Sequence, residues 1–368
     1  MKNVAVFFGG QSVEHDVSVI TGTLTVNSLD AQKYNGVPVY VSQEGKWYTG
    51  ESLKDIDGYK NLKLNKLKQV TLVGGSNVLS TVKGNKIKPL CEVAVAVNCM
   101  HGERGEDGSL AGLLNMCGVP LANPSTYASS TAISKTNTKL LLKGLHVKTL
   151  PYVTVESVKD LHIVTKSLDF PLFVKPDCGG SSIGVGKAEN KAQLLEAVLN
   201  ALRYGDKVII EPYVQNCVEI NCACYSYKGK LYPSLCEKPV GAKQFLSFDD
   251  KYCDGQREFP ADIPQELSER IQNITQRVYS ALNASGVIRI DYMLIDGQIY
   301  LNEINTVPGS LAYYLFTDTL KGFSELLTKW ISVAQESFSK SQTHVKCFNS
   351  SILNGISGSK GAKRLKKT

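Results

Sequence analysis

Val287-Ile288-Arg289-Ile290-Asp291-Tyr292-Met293-Leu294-Ile295, then Asp296-Gly297, then Gln298-Ile299-Tyr300-Leu301-Asn302-Glu303-Ile304-Asn305: residues 287–305 are two β-rich runs split by an Asp-Gly pair. That pair between two such runs predicts a tight hairpin. On paired antiparallel strands Asp291 and Glu303 can point to one face. Glu303 and Asn305, two apart, share a face by the strand period, as do Arg289 and Asp291. Three oxygen donors with room for water and phosphate oxygens is how a protein holds Mg²⁺ beside a nucleotide, so Asp291, Glu303 and Asn305 are candidate metal ligands. The alternative is a surface salt-bridge ladder. R-x-D and E-x-N on neighbouring strands weigh against it.

Upstream, Phe173-Val174-Lys175-Pro176 enters Asp177-Cys178-Gly179-Gly180-Ser181-Ser182-Ile183-Gly184-Val185. This reads as a strand that ends in Lys and turns through a Gly/Ser-rich hairpin. Glycines let the backbone close over an anion, amides and hydroxyls supply donors, and the Lys supplies charge. Neither G-x-x-x-x-G-K-[ST] nor G-x-G-x-x-G is present, and alone the loop also reads as a plain turn. Glu211-Pro212-Tyr213-Val214, with Glu219 further on, places an acid at a strand end before apolar residues. That suits an adenine edge and a ribose, or a simple connector. Residues 243–262 are long, polar and irregular, as a functional lid is, and include Lys251-Tyr252.

At the N-terminus, residues 2–8 predict a buried strand ending at Gly9-Gly10-Gln11-Ser12 before a helical pattern, the opening of a parallel α/β unit. Glu14 at the start of that helix either holds an ammonium or complements the helix dipole. Cys91 to Cys99 predicts one buried strand running into His101-Gly102-Glu103-Arg104-Gly105-Glu106-Asp107-Gly108. A Lys-rich helix follows Asn123-Pro124-Ser125, strands and helices alternate over 151–215, and helices are expected over 264–284 and 322–338.

Composition excludes several classes. At 368 residues with 43% hydrophobic and 20% charged residues, the chain is long enough for real cores and is neither collagen-like nor disordered. Apolar runs such as Val93–Val97 fall far short of the ~20 residues of a membrane span, and the N-terminus lacks a signal-peptide core, so a cytoplasmic protein is expected. Six of the seven net positive charges lie in the last 23 residues, so the body is nearly neutral and no nucleic-acid binder is indicated. That Gly/Ser/Lys tail reads as solvated and disordered, or as a polyanion contact. The ten cysteines show no C-x-x-C, and reduced, mostly buried thiols are expected.

Taken in order, these motifs resemble the D-alanine–D-alanine ligases of the ATP-grasp superfamily, over about residues 2–335. The resemblance rests on G-G-x-S-x-E-H-x-V-S at 9–18, H-G-x-x-G-E-D-G at 101–108, the Lys135/Lys139 helix, V-K-P…G-S-S-I-G-V at 174–185, Glu211 with Glu219, Lys251-Tyr252, R-I-D at 289–291 and N-E-I-N-T-x-P-G at 302–309. It implies an α/β (α+β) three-domain ATP-grasp fold: an N-terminal parallel α/β domain (1–123), a central lobe (124–211), a C-terminal lobe (212–345) with a lid at 244–260, and the basic tail 346–368. It implies ATP-dependent joining of two D-alanines through an acyl phosphate, for peptidoglycan precursors, by a cytoplasmic homodimer that binds small molecules and neither nucleic acid nor membrane.

The implied roles follow residue by residue. Lys135, Lys175 and Ser182 would hold ATP phosphates. Glu211 would meet the adenine amino group, the backbone of Tyr213 and Val214 its other edge, and Glu219 the ribose. Asp291, Glu303 and Asn305 would bind two Mg²⁺ (or Mn²⁺). Glu14 would receive the ammonium of the first D-alanine, linked through Ser181 and Tyr252 to the lid, with His101 near that substrate's carboxylate. Arg289 and the Gly309 amide would stabilise the oxyanion, and Lys251 would reach the transferred phosphate. Three places depart from the family pattern. Ala111 stands where a Gln is usual, Asp177-Cys178 where longer polar side chains are common, and Tyr314 where a Ser usually holds the second substrate's carboxylate; Tyr314 and Leu315 are the candidate contacts to that substrate. Another acceptor (D-serine or D-lactate) and a non-catalytic nucleotide-binding relative are the rival readings. A serine hydrolase using Ser181 lacks the G-x-S-x-G elbow.

Overall fold

Val4 to Phe8 carry no polar side chain, and all five are fully buried, as in a strand covered on both faces. They form β1 (Lys2–Gly9), which turns through Gly9 and Gly10 into helix α1 (His15–Asn27). Gly9 has φ +87°, and a Cβ there would lie 2.3 Å from the Val41 carbonyl, so the turn admits no side chain. Strands β2 (Tyr34–Val41), β3 (Trp47–Thr49), β4 (Lys68–Leu72), β5 (Val78–Lys83), β6 (Lys86–Glu92) and β7 (Val95–Asn98) follow. The strand order is β6-β5-β4-β3-β2-β1-β7.

Only β2-β1-β7 is parallel. The expected parallel unit continues as an antiparallel meander: short links join β2 to β3, β4 to β5 and β5 to β6, too short for a parallel crossover, and residues 50–67 join β3 to β4. The expected single strand from Cys91 to Cys99 is also corrected. β6 pairs with β5, whereas β7 pairs with β1, and the ladder breaks at Val93-Ala94, where the partner changes. Glu92 and Val95 are three Cα steps apart, about 11 Å at most. The two ends of a flat seven-stranded sheet would be about 29 Å apart. The sheet therefore curls back on itself around Phe7, Val41, Val70, Leu79, Val93 and Ala96.

Helices α2 (Ser109–Met116), α3 (Thr126–Ile133) and α4 (Lys135–Gly144) lead to a second, antiparallel sheet. It has the order β10-β9-β11-β8 and is built from β8 (Val153–Val155), β9 (Leu172–Pro176), β10 (Gly186–Ala188) and β11 (Val208–Pro212). Helices α5 (Leu161–Ser167) and α6 (Lys191–Ala201) share its core, in which Val164, Leu194 and Val198 meet Leu172, Val174 and Ile210.

A third sheet, β13-β12-β16-β17, is antiparallel throughout. Its strands are β12 (Val218–Tyr227), β13 (Lys230–Pro233), β16 (Val287–Ile295) and β17 (Gln298–Asn305), with β14 (Lys238–Val240) and β15 (Gln256–Glu258) forming a small pair beside it. Cys222, Cys224, Ile288, Ile290 and Ile304 pack against Ile271, Val278 and Tyr279 of α7 (Gln265–Ala281). The opposite face carries the polar residues of 287–305. After a short turn at Gly309–Leu315, helix α8 (Leu320–Gln342) brings Phe323, Leu327 and Trp330 into the core that also holds Val4, Val6 and Phe8.

The computed structural model describes residues 1–240, 256–351 and 354. Met1–Gln335 is one compact unit, and Glu336–Thr368 is a second. The nine described cysteines are free thiols, and Cys178 and Cys347 are exposed rather than buried. Most of the tail lies outside the described residues.

Candidate active site

The register of the 287–305 hairpin places Asp291 opposite Glu303 and Arg289 opposite Asn305, so all four side chains share the polar face. Arg289 clasps Asp291 with two hydrogen bonds, Nε to Oδ1 at 2.7 Å and Nη2 to Oδ2 at 2.9 Å. The Asn305 amide nitrogen donates to Asp291 Oδ2 at 3.1 Å, which leaves its oxygen for another partner. Between Asp291 and Tyr292 the register shifts by one residue, and Asn302 is the unpaired residue of β17. Such a bulge re-aims a side chain. Asn302 and Glu303 are adjacent, yet both line the same cleft, and Asn302 accepts from Lys175 Nζ at 3.1 Å.

Across that cleft stands the Gly/Ser loop, which the structure builds as the hairpin turn between β9 and β10. Gly179, Ser181, Ser182 and Gly184 all have positive φ. Lys135 begins α4, and the loop holds it there. Asp177 accepts from the Ser134 hydroxyl at 2.8 Å and from the Thr136 amide at 2.8 Å, satisfying the first turn of the helix. Lys135 Nζ donates to the Gly179 carbonyl at 2.7 Å and lies 4.0 Å from Glu303. Lys175, Ser182, Glu219, Asp291 and Glu303 line the same cleft.

Deeper in, Glu211 is bridged by two ammonium groups, Lys139 at 2.6 Å and Lys175 at 2.7 Å. Burial by itself would raise its pKa, but the two lysines win and hold it at about 2. Any adenine amino group would thus be a third donor to this carboxylate. The Tyr213 amide already donates to the Pro171 carbonyl at 2.9 Å.

At the other end, Glu14 is buried at the start of α1 and accepts from the Ser181 hydroxyl. A Cβ on Gly102 would lie 2.4 Å from Ser12 Oγ and 3.0 Å from a Glu14 oxygen, so this loop approaches Glu14 only as glycine. His101 is buried against Thr21, 3.0 Å away. Burial, and then the charge of Arg289, lower its pKa to about 4, so the ring is neutral near pH 7. Thr21 also accepts from the Ser310 amide at 3.1 Å.

Glu106 accepts from the amides of Gly102 at 2.8 Å and Val307 at 3.1 Å, tying the His101 loop to the segment before Gly309. Burial, and then the nearby Glu14, push Glu106 well above the usual carboxylate range. Glu106, Lys139, Thr21 and Asn302 had no assigned role in the sequence reading. Glu106 and Lys139 lay inside the motifs already quoted. Nothing local marks the bulge at Asn302.

The remaining expected residues are placed as follows. Gly309 opens the turn Gly309–Leu315, where an amide has no intrahelical partner. The Tyr314 hydroxyl reaches Arg289. Leu315 packs its side chain in the hydrophobic core at 2% exposure, which leaves its backbone to meet a substrate. Ala111 is buried in α2. Lys251, Tyr252 and most of the expected lid lie outside the described residues, and the part of 244–260 that is described includes strand β15. Two carboxylates and one carboxamide oxygen on one face fit a hard divalent cation such as Mg²⁺. Among the described residues no three His, Cys, Asp or Glu side chains gather into a metal cluster, so the set relies on Asn305.

The fold and cleft are those of an ATP-grasp enzyme. A crystal structure of D-alanine–D-alanine ligase from Helicobacter pylori superposes with a TM-score of 0.75 at 29% identity, covering 89% of this chain and 98% of that one. A D-Ala:D-Ser ligase from Enterococcus faecalis does so with a TM-score of 0.77 at 26% identity, covering 90% and 99%. The D-ala D-ala ligase N-terminus family profile matches residues 3–124, and the D-ala D-ala ligase C-terminus profile matches residues 141–329. The D-alanine–D-alanine ligase of Thermosipho melanesiensis is 34% identical over 347 residues, covering 92% of this chain and 95% of that protein. The chain belongs to the D-alanine–D-alanine ligase family.

Proposed function

We propose that this enzyme joins two D-alanines into D-alanyl-D-alanine, with ATP cleaved to ADP and phosphate by way of an acyl phosphate. The observation that carries the reading is one cleft with three parts. Lys135 and Lys175 stand on one wall, and Asp291, Glu303 and Asn305 on the other. Arg289 links that wall to the Glu14–His101 end. Relatives named for D-alanine at both positions weigh against D-serine or D-lactate as acceptor, and the complete polar face weighs against a non-catalytic relative.

A carboxylate resists attack by an amine because oxide is a poor leaving group. Glu14, positioned by Ser181, takes the ammonium of the first D-alanine, and neutral His101 lies near its carboxylate. Lys135, Lys175 and the amides of the hairpin hold the ATP phosphates, with the adenine beside Glu211, Tyr213 and Val214 and the ribose at Glu219. Asp291, Glu303 and Asn305 would hold two Mg²⁺, which when bound neutralise charge on the phosphoryl group. The first carboxylate takes the γ-phosphoryl and ADP leaves. The free amine of the second D-alanine then attacks the acyl carbon, Arg289 and the Gly309 amide stabilise the oxyanion, and phosphate departs with the electron pair. Water must be kept from the acyl phosphate, the part that the resemblance implies for the segment with Lys251 and Tyr252, which lies outside the described residues.

In this reading the enzyme is a cytoplasmic homodimer that supplies cell-wall precursors. Among the described residues no helix is long and apolar enough to cross a membrane. The division at 123 and 211 is supported by the separate sheets those segments carry. The test is ADP release with MgATP and D-alanine alone, with L-alanine, and with D-serine or D-lactate added as acceptor. Turnover with D-alanine alone and none with L-alanine is expected. Turnover only when D-serine or D-lactate is added overturns the acceptor.

A further inference from the structure

Arg257, on β15, is used by none of the roles above. Its guanidinium lies 4.7 Å from the centroid of the Tyr314 ring. One nitrogen donates to Glu237 Oε1 at 3.3 Å and to the Tyr314 carbonyl at 3.5 Å. Glu237 is buried and also accepts from the Asn221 amide at 3.2 Å, so it is a fixed anchor. The Arg257 side chain is 42% exposed, and of its five N–H groups most carry no partner among the described residues. The hydroxyl end of the same tyrosine reaches Arg289. A single ring therefore spans from the reacting centre to a second guanidinium.

Joining two amino acids brings two carboxylates into the site. One is consumed. The other survives into the product and needs a cation where water is excluded. Lys139 and Lys175 are committed to Glu211, Lys135 to the hairpin and Glu303, and Arg289 to Asp291. Arg257 is the neighbouring cation with donors to spare among the described residues. Its planar fork matches a carboxylate.

We infer that Arg257, braced by the Tyr314 ring and Glu237, binds the carboxylate of the acceptor amino acid. Tyr314, where a small hydroxyl is usual, then serves as the platform that sets Arg257 in place. The inference rests on the ligase reading above and names the acceptor subsite within it.

The experiment compares D-alanine with D-alaninamide, which keeps the attacking amine and lacks the charge, as acceptors for wild type, Arg257→Ala and Arg257→Lys. Arg257→Ala is expected to lower kcat/KM for acceptor D-alanine about 10- to 100-fold, the loss of a charge-assisted hydrogen bond. D-alaninamide use and the KM for ATP stay within twofold, so the preference for the charged acceptor collapses. Arg257→Lys keeps the charge without the fork, and is expected to retain part of that preference. An undiminished preference in Arg257→Ala overturns the inference, as does a loss shared equally by both acceptors. Should Arg257→Ala not fold, an undiminished preference and unchanged acceptor KM in Arg257→Lys overturn it instead. A wild type inert to D-alanine overturns the ligase reading itself, and this inference with it.

Discussion

Glu211 joins two lysines in the interior, and its protonation is linked to folding. Its pKa is near 2 in the fold against an ordinary value of 4.5. A depressed carboxylate contributes stability that is fully present above the ordinary value and is lost as pH falls toward the folded one, here between about 4.5 and 2. The shift corresponds to about 3 kcal/mol. Glu211→Gln removes that contribution, so the unfolding free-energy gap between wild type and variant should narrow as pH falls through this window. Urea titrations at several pH values measure it, and a constant gap contradicts the assignment. Glu303→Gln tests the opposite wall. It removes a charged oxygen from a half-buried face without opening a cavity. It should lower kcat at least about 100-fold while the melting temperature stays within a few degrees. Full activity at saturating Mg²⁺ contradicts the metal-ligand role. Arg289 with Asp291, and Glu303 with Asn305, were legible in the sequence because strand period puts each pair on one face; that the two pairs share a face is the work of the bulge at Asn302, without which the Asp296-Gly297 turn would set Asp291 opposite Asn302. Glu106 and Lys139 were not legible, because their meaning comes from partners about 200 and 70 residues away in sequence.

The turn Gly309–Leu315 carries a conformation that its sequence conceals. Ser310, Leu311 and Ala312 have φ of +50°, +51° and +48°, the left-handed region that favours glycine. Buried Leu311 and Ala312 hold the turn against that cost, and the turn delivers Tyr314 to Arg289. Three non-glycine residues in that region next to a reaction site fit strain held by packing. Ser310 is the partly exposed member, and the hydrogen bond its backbone amide donates to the Thr21 hydroxyl survives substitution. Ser310→Gly should therefore stabilise the chain by about 1 kcal/mol, the reverse of glycine's usual effect. A lower melting temperature for Ser310→Gly contradicts the strain. The broken ladder at Val93-Ala94 and the bulge at Asn302 were hidden for a related reason. An apolar run does not announce where it changes partner, and one unpaired residue leaves the alternation on either side looking continuous.

Across the whole molecule, most strands and helices of residues 2–335 appear in the order their hydrophobic periods predict, and the motifs fall at their ends. What the periods could not supply is how the sheets meet. The cleft lies where the β9–β10 hairpin faces the polar side of β16–β17, and the far core joins β1 to the third sheet and α8 through Val6, Tyr225 and Trp330. These are contacts across hundreds of residues, set by packing. The central claim is that this cleft activates a carboxylate by phosphorylating it. D-alanine labelled with ¹⁸O in its carboxyl group, turned over with MgATP, tests that claim most directly, with the released phosphate read by mass spectrometry. An acyl phosphate predicts one ¹⁸O in the phosphate for each dipeptide formed. Dipeptide formed alongside unlabelled phosphate would contradict it.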